Sequence, residues 1–94
     1  MKNKTYKIKS KIWRWPGDVG WHFVTLEKKL SKDIRDVYGK GFVKIQARVG
    51  KSVWATSLFP HKESNAYLIC VNKKIRKEED IFEGDEMMIS FSIV

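Results

Sequence analysis

The chain has little of what cross-links a protein or holds a metal ion. Of its 94 residues, one is cysteine, two are histidine and two are proline. A lone cysteine excludes an internal disulfide, and Cys70, His22 and His61 lack the spacing of metal ligands. Cys70 lies in the apolar run AYLICV, which predicts a buried thiol. We therefore expect neither a metal ion nor another cofactor.

Long apolar runs are also missing. The longest is far below the roughly 20 residues of a membrane-spanning helix. The lysine-rich start MKNKTYKIKSK is not followed by the apolar segment of a secretory signal. Hydrophobic residues make up 43% of the chain, enough for one modest core. We therefore expect a cytoplasmic protein of one domain, residues 1–94, without membrane contact.

Acidic residues are scarce in the first half of the chain only. Residues 1–49 carry 13 Lys and Arg against 4 Asp and Glu, a net charge of +9, whereas residues 50–94 carry 6 against 7, a net charge of −1. Such asymmetry favours an anionic partner. The alternative is that the lysines only solubilise exposed strands and discourage edge-to-edge pairing.

Alternation of apolar and polar residues predicts six strands. The first, TYKIKSKIWRW, places Tyr6, Ile8 and Ile12 on one face; the other face carries Lys7, Lys9, Lys11, Trp13 and Trp15. The run AYLICV is apolar throughout, as a strand covered on both faces is, and Pro60 is expected to end the strand before it. The other predicted strands are WHFVTL, FVKIQARVG with Val43, Ile45, Ala47 and Val49 inward, KSVWATSLF, and EMMISFSIV with Met87, Ile89, Phe91 and Ile93 inward.

Two segments predict short helices. In SKDIRDVYG, Ser31 can cap the helix, Ile34 shares a face with Val37 or Tyr38, and Gly39 ends it. In NKKIRKEED, Asn72 is the expected cap.

The two halves of the chain resemble each other. Each runs strand, Pro, strand, capped helix, Gly, strand, with SKDIR matched by NKKIR, which suggests pseudo-repeats of about residues 3–49 and 50–94. Six strands and two short helices predict a mainly all-β protein, a small closed six-stranded β-barrel with a possible pseudo-two-fold axis. Such a barrel can close within a monomer, and a dimer stays open as an alternative.

The corner VNKKIRKEEDIFEGDEMMIS resembles the helix, Gly-Asp turn and strand of AbrB-type swapped-hairpin barrels. In such a corner the helix Ile packs onto the barrel, Gly84 accepts a positive φ and Asp85 bonds backbone N–H groups in the turn.

A wider resemblance covers nearly the whole chain. The segments GWHFVTL, GKSVWATSLFP and AYLICVNKKIRKEEDIFEGD are similar to the bacterial and archaeal family called domain of unknown function 1905. Its most specific elements are matched by Trp54, Thr56, Ser57, Leu58, Phe59 and Pro60, and by Arg76, Lys77, Glu79, Ile81, Gly84 and Asp85. The resemblance implies a small β-barrel and no established biochemical activity.

Three functions fit the residues, of which the first is preferred. Nucleic acid or another anionic ligand would bind the row of Lys7, Lys9 and Lys11, spaced roughly 6.6 Å apart on a strand. Trp13 and Trp15 would stack bases, as in single-strand binders, and Lys44 and Arg48 would widen the surface.

The alternative is a small-molecule or peptide module at the barrel mouth, built from Trp21, Trp54, Thr56, Ser57 and Arg76. The least favoured function is a hydrolase with Ser57 as nucleophile, His22 or His61 as base and Asp85 as acid, because ATSLF lacks the glycines of a nucleophile elbow. We therefore expect a binding module without catalytic activity.

Overall fold

A computed structural model describes residues 5–39 and 41–94. Seven antiparallel strands form one sheet, and two helices accompany them. The strands are β1 (Thr5–Lys11), β2 (Trp13–Arg14), β3 (His22–Thr25), β4 (Val43–Val49), β5 (Ser52–His61), β6 (Ala66–Cys70) and β7 (Glu86–Ile93), and the helices are α1 (Lys28–Tyr38) and α2 (Lys73–Glu78). The predicted all-β class with two short helices is confirmed.

The sheet is curled into a half-barrel that is not fully closed, so the predicted closed six-stranded barrel is corrected. The strand order is β1-β7-β4-β5-β6-β3-β2, which leaves β1 at one edge and β2 at the other. These two edge strands are consecutive in the chain. A hydrogen bond joins β1 to β3 across the gap between the two edges of the sheet: the Ser10 hydroxyl donates to the Thr25 carbonyl at 3.1 Å.

The first predicted strand is two strands because the chain turns away at Ile12. The Ile12 N–H donates to the Asp85 carbonyl at 2.9 Å, and the Ile12 carbonyl accepts from the Gly84 N–H at 2.8 Å. Both backbone groups of Ile12 are therefore used by the Gly-Asp corner. Before this point the chain pairs with β7, and after it with β3.

One apolar core lies on the inner face of the sheet, under both helices. The predicted inward positions of β4 and β7 are confirmed, although Ile93 is only partly buried. β6 is covered on both faces, as its composition predicts: Ala66 through Ile69 are all buried. Tyr67, Leu68 and Ile69 are each at most 2% exposed.

Helix α1 begins earlier than predicted and packs differently. It starts at Lys28 after Glu27, and Ser31 lies inside the helix as a buried residue instead of capping it. The Ser31 hydroxyl accepts the Tyr67 N–H at 3.0 Å. Leu30 and Ser31, one turn before Ile34, supply the packed face, so Val37 and Tyr38 are exposed, at 74% and 51%. Gly39, with φ 90°, follows the end of the helix as expected.

The second helix and the corner after it agree with the prediction. The Asn72 side chain accepts the Ile75 N–H at 2.9 Å, and Ile75 is buried. Gly84 has a φ of 90°, and the Asp85 carboxylate accepts the Phe82 N–H at 2.8 Å.

Pro60 does not end its strand, contrary to the prediction. β5 continues to His61, and Pro60 lies opposite Tyr67 of β6. The pairing of β5 with β4 stops at Leu58, so from Pro60 on the strand is hydrogen-bonded to β6 alone. The missing N–H of Pro60 can therefore face the side without a partner strand. Proline is tolerated at such edge positions.

The two halves of the chain have the same pattern of strand pairing. In this comparison β1 and β2 together correspond to β5, β3 corresponds to β6, and β4 corresponds to β7. The β1–β7 pair then matches β5–β4, the β2–β3 pair matches β5–β6, and the pairs β4–β7 and β3–β6 each join corresponding strands. A duplication of residues 3–49 as 50–94 stays a prediction. Within residues 5–39 and 41–94, no helix is long and apolar enough to cross a membrane.

Candidate anion-binding surface

The outer faces of β1, β7 and β4 carry the predicted basic residues. Lys7, Lys9 and Lys11 are exposed on β1. The register sets Lys7 opposite Ser90 of β7, and Ser90 opposite Arg48 of β4. One row across three neighbouring strands therefore contains the cation Lys7, the hydroxyl of Ser90 and the cation Arg48. We call this the basic face; it comprises Lys7, Lys9, Lys11, Lys44, Arg48, Ser90 and Ser92.

The charges of this face are only lightly compensated. The Lys9 ammonium lies 3.5 Å from the Glu86 carboxylate, and both side chains are more than half exposed. A pair so exposed has a weak interaction that salt screens. Arg48 donates through Nε to the Gly50 carbonyl at 3.2 Å, which fixes its orientation without neutralising it. Most of the positive charge of this face is therefore not neutralised by ion pairs within the described structure.

Two shallow depressions lie on the basic face, and both are lined by Arg48 and Ser90. One, of about 230 Å³, also has Lys7 and Met88 in its wall. The other, of about 240 Å³, has polar groups from Thr5, Gln46 and Ser92. The two serines were not predicted as site residues, although Ser90 and Ser92 alternate with buried apolar residues in β7.

Lys44 belongs to the same outer face but lies farther along β4. It is exposed and opposite Ser57 of β5. Lys44, Gln46 and Arg48 alternate with buried residues, so their side chains share one side of the strand. Gln46 shares a row with Ser92 and Thr5, so Lys44 lies one row beyond the start of β1.

Trp13 and Trp15 lie in an aromatic cluster on the other part of the outer face. We define this cluster as Trp13, Trp15, Trp21, Phe23, Phe59 and His61. The Trp13 and Trp15 rings are 5.7 Å apart between centroids, and both lie within 6 Å of the Phe23 ring. Phe23 is 2% exposed beneath them. The Trp13 indole N–H donates to the Thr25 hydroxyl at 2.9 Å, so Trp13 is anchored and half-buried, while Trp21 is 52% exposed.

The residues of the small-molecule alternative are distributed over both faces of the sheet. Trp54 packs against the inner core, whereas Ser57 pairs outward with Lys44. Thr56 follows the inner side with Ile45, and Trp21 contacts Phe23 in the aromatic cluster. Arg76 donates through Nε to the Val71 carbonyl at 3.1 Å.

The groups of the hydrolase alternative make other hydrogen bonds. His22 Nδ1 donates to the Gly20 carbonyl at 2.7 Å. His61 Nδ1 bonds the Ser64 hydroxyl at 2.6 Å. The Asp85 carboxylate belongs to the turn at Phe82. The structure therefore does not assemble a triad around Ser57 from these residues.

Two acidic groups are perturbed by burial. Burial raises the pKa of the Cys70 thiol, and the Arg76 guanidinium partly opposes the rise. Burial likewise raises the pKa of the Tyr67 hydroxyl, against the opposing charge of Arg35. The Cys70 thiol is half-buried, less than predicted. No group of three or more His, Cys, Asp or Glu in the described part of the chain could hold a metal ion.

Comparison with known proteins identifies the family of the chain. A search among curated proteins finds no match. A family model described as Domain of unknown function (DUF1905) matches residues 9–91, which include β7 almost to its end and all of β2 to β6. The chain therefore belongs to this family.

Proposed function

We propose that the protein is a cytoplasmic, non-enzymatic binding module whose basic face binds an anionic ligand, single-stranded nucleic acid in the first place. The observation that carries the proposal is the row Lys7, Ser90, Arg48, which crosses three hydrogen-bonded strands on one exposed face. Neighbouring strands are about 4.8 Å apart, so Lys7 and Arg48 are roughly 10 Å apart at the backbone. Their flexible side chains can reach adjacent phosphates.

The lysines of β1 extend this row along the strand. Lys7, Lys9 and Lys11 follow at about 6.6 Å, twice the rise per residue of a strand. A phosphate chain along β1 would meet a cation at each step, and the hydroxyls of Ser90 and Ser92 can donate to phosphate oxygens beside them. Phosphate contacts of this kind supply affinity without reading the sequence.

The aromatic cluster supplies the stacking groups of this proposal. Trp13 and Trp15 follow the lysines along the chain, but Trp13 is held by Thr25 and covered by its neighbours. Base stacking therefore falls first to Trp21, which is 52% exposed, and second to Trp15, which is half-buried like Trp13. Aromatic platforms beside a basic groove suit single strands, whose bases are free to stack.

Tryptophan fluorescence during titration with single-stranded and duplex oligonucleotides tests the proposal. We expect quenching that is stronger for the single strand and that weakens by orders of magnitude between about 50 and 200 mM salt. The Lys7→Gln/Lys9→Gln/Lys11→Gln variant should lose this response.

The matched control removes the same charge from α2. Lys73, Lys74 and Lys77 are exposed there, and the variant Lys73→Gln/Lys74→Gln/Lys77→Gln should keep most of the affinity. Equal losses in both variants would show that net charge alone attracts the oligonucleotide. The absence of binding at low salt would contradict the proposal.

One observation favours the small-molecule alternative. The indole N–H of Trp54 is buried without a hydrogen-bond partner in the described structure, and an unpaired buried donor is costly. A small acceptor molecule beside Trp54 would satisfy it. Native mass spectrometry checks this: a bound mass that is absent from Trp54→Phe supports such a ligand, and the mass of the bare chain contradicts it.

A further inference from the structure

A second surface of the molecule, apart from the basic face, is a cleft between α1 and the hairpin of β5 and β6. Its volume is about 630 Å³. Ligand pockets commonly measure about 300 to 1,000 Å³, so the cleft has room for a small organic molecule. Six of the residues that line it are Arg35, Pro60, His61, Lys62, Asn65 and Tyr67.

The polar groups of the cleft favour an anion. Arg35 comes from the last turn of α1, and Lys62 from the tip of the hairpin. No carboxylate is among the described residues that line the cleft. Arg35 Nη1 donates to the neutral Asn65 side-chain oxygen at 3.2 Å, so its charge is oriented but not neutralised.

The walls of the cleft are apolar and fixed. Tyr67 is buried, its hydroxyl donates to the Gly39 carbonyl at 2.9 Å, and its backbone N–H is bonded to Ser31. Pro60 lies opposite Tyr67 in the sheet. Arg35 lines the same cleft as Tyr67 and Pro60. A planar apolar body can therefore contact the half-buried Pro60, with the almost wholly buried Tyr67 as a fixed support beside it, while its acidic group faces Arg35.

We propose that this cleft binds a small organic anion, a carboxylate or phosphate ester attached to a ring. The Arg35 guanidinium would pair with two oxygens of the acidic group in its planar fork, and Lys62 would add a second positive charge. Asn65 holds Arg35 in place between the helix and the hairpin. The cleft is built from α1, β5 and β6, so it does not depend on the basic face of β1, β7 and β4.

Phenyl phosphate is a suitable probe because it joins an acidic group to a ring. Inorganic phosphate and phenol, which each carry only one of these two parts, are the control ligands. Titration is followed by amide chemical shifts, up to about 10 mM, because a site with a Kd near 1 mM is then mostly occupied. We expect saturable shifts at Asn65, Ala66 and Tyr67 with phenyl phosphate, at least fivefold weaker binding of phosphate, and no saturation with phenol.

The variants locate the site. Arg35→Gln should weaken phenyl phosphate at least tenfold, and Lys62→Gln should weaken it less. Lys29→Gln, an exposed change on the same helix, should leave it unchanged. Unchanged amide spectra away from the cleft show that each variant is folded. The proposal is overturned if phenyl phosphate gives no saturable shift, if its shifts fall on β1 and β4, or if Arg35→Gln binds as the wild type does.

Discussion

β1 and β5 occupy corresponding places in the sheet, yet their outer faces differ. The outward residues of β1 are Lys7, Lys9 and Lys11, and they pair with β7. The outward residues of β5 that pair with β4 are neutral: Val53, Ala55 and Ser57. The same pairing pattern is therefore built once with three cations and once without any. The fold does not require a basic strand at this place.

The position of β1 at the edge offers another reason for its lysines. β1 is the end strand of the sheet and pairs with β7 alone, whereas β5 pairs with β4 from Ser52 to Leu58 and with β6 from Leu58 to His61. Lysines on an edge strand prevent pairing with other chains. Edge protection explains lysines on β1, but it does not explain Arg48 on β4, an interior strand of the sheet. The proposed binding of phosphate would account for both.

The largest predicted effect is in the core, at Ile12, which follows the end of β1, and at Leu58 of β5. Ile12, 1% exposed, and Leu58, fully buried, lie in the same core. Ile12→Ala and Leu58→Ala should each lower the free energy of unfolding by about 2–5 kcal/mol. Urea denaturation measures both. A control, Val53→Ala on the exposed face of β5, should stay within about 0.5 kcal/mol. A small loss at Ile12 alone would show that the broken strand contributes less to the core than the continuous one.

A smaller effect on the free energy of unfolding is expected at Ser31 of α1 and at Asn72, the cap of α2. Ser31→Ala leaves the buried Tyr67 N–H without its acceptor, which should cost about 1–3 kcal/mol. Asn72→Ala removes an exposed helix cap and should cost about 1 kcal/mol. Urea unfolding of both variants checks the order. A larger loss for Asn72→Ala would contradict the different roles of these matched residues.

The two matched arginines should act on different acidic groups. Arg76 opposes the burial-induced rise in the Cys70 pKa, so Arg76→Gln should raise this pKa further and slow alkylation at pH 8 by less than tenfold. Arg35→Gln is the control and should leave the alkylation rate unchanged. Iodoacetamide labelling across a pH series measures the shift; a lower pKa in Arg76→Gln would contradict it.

The same thiol links stability to pH. The pKa of Cys70 in the folded state is above the ordinary value, so the folded state holds the proton more tightly. Its contribution to stability is therefore complete below the ordinary thiol pKa and is lost as the pH rises through the folded-state value.

The smallest predicted change in stability is that of the lysines themselves. Lys7→Gln/Lys9→Gln/Lys11→Gln should change the free energy of unfolding by about 0.5 kcal/mol or less at each position, because the side chains are exposed. Urea denaturation measures the change. Sedimentation of the same variant separates the two explanations of the row: a marked increase in self-association would favour edge protection, and a size distribution like that of the wild type would favour ligand binding.

Local sequence patterns predicted the strands well, since alternation records directly which face is buried. The cap at Asn72 was predicted from the residue type at a helix start, and the roles of Gly84 and Asp85 from the resemblance to AbrB-type corners; these residues act within a few positions of the chain. The break at Ile12 and the role of Ser31 depend on partners about 70 and 36 residues away, Asp85 and Tyr67. Such partners leave no mark in a short window, so β1 was predicted too long and α1 too short. The Arg35 cleft likewise joins a helix to a distant hairpin and was not identified.

The most direct test of the basic face is the salt dependence of its affinity for a single-stranded oligonucleotide. The slope of log K against log salt concentration reports the number of phosphate contacts, at about 0.7 per contact for single strands. If Lys7, Lys9 and Lys11 each contact a phosphate, Lys7→Gln/Lys9→Gln/Lys11→Gln should reduce this slope by about 2, and the α2 control should keep it. An equal slope in wild type and β1 variant would contradict a phosphate-binding role for this strand.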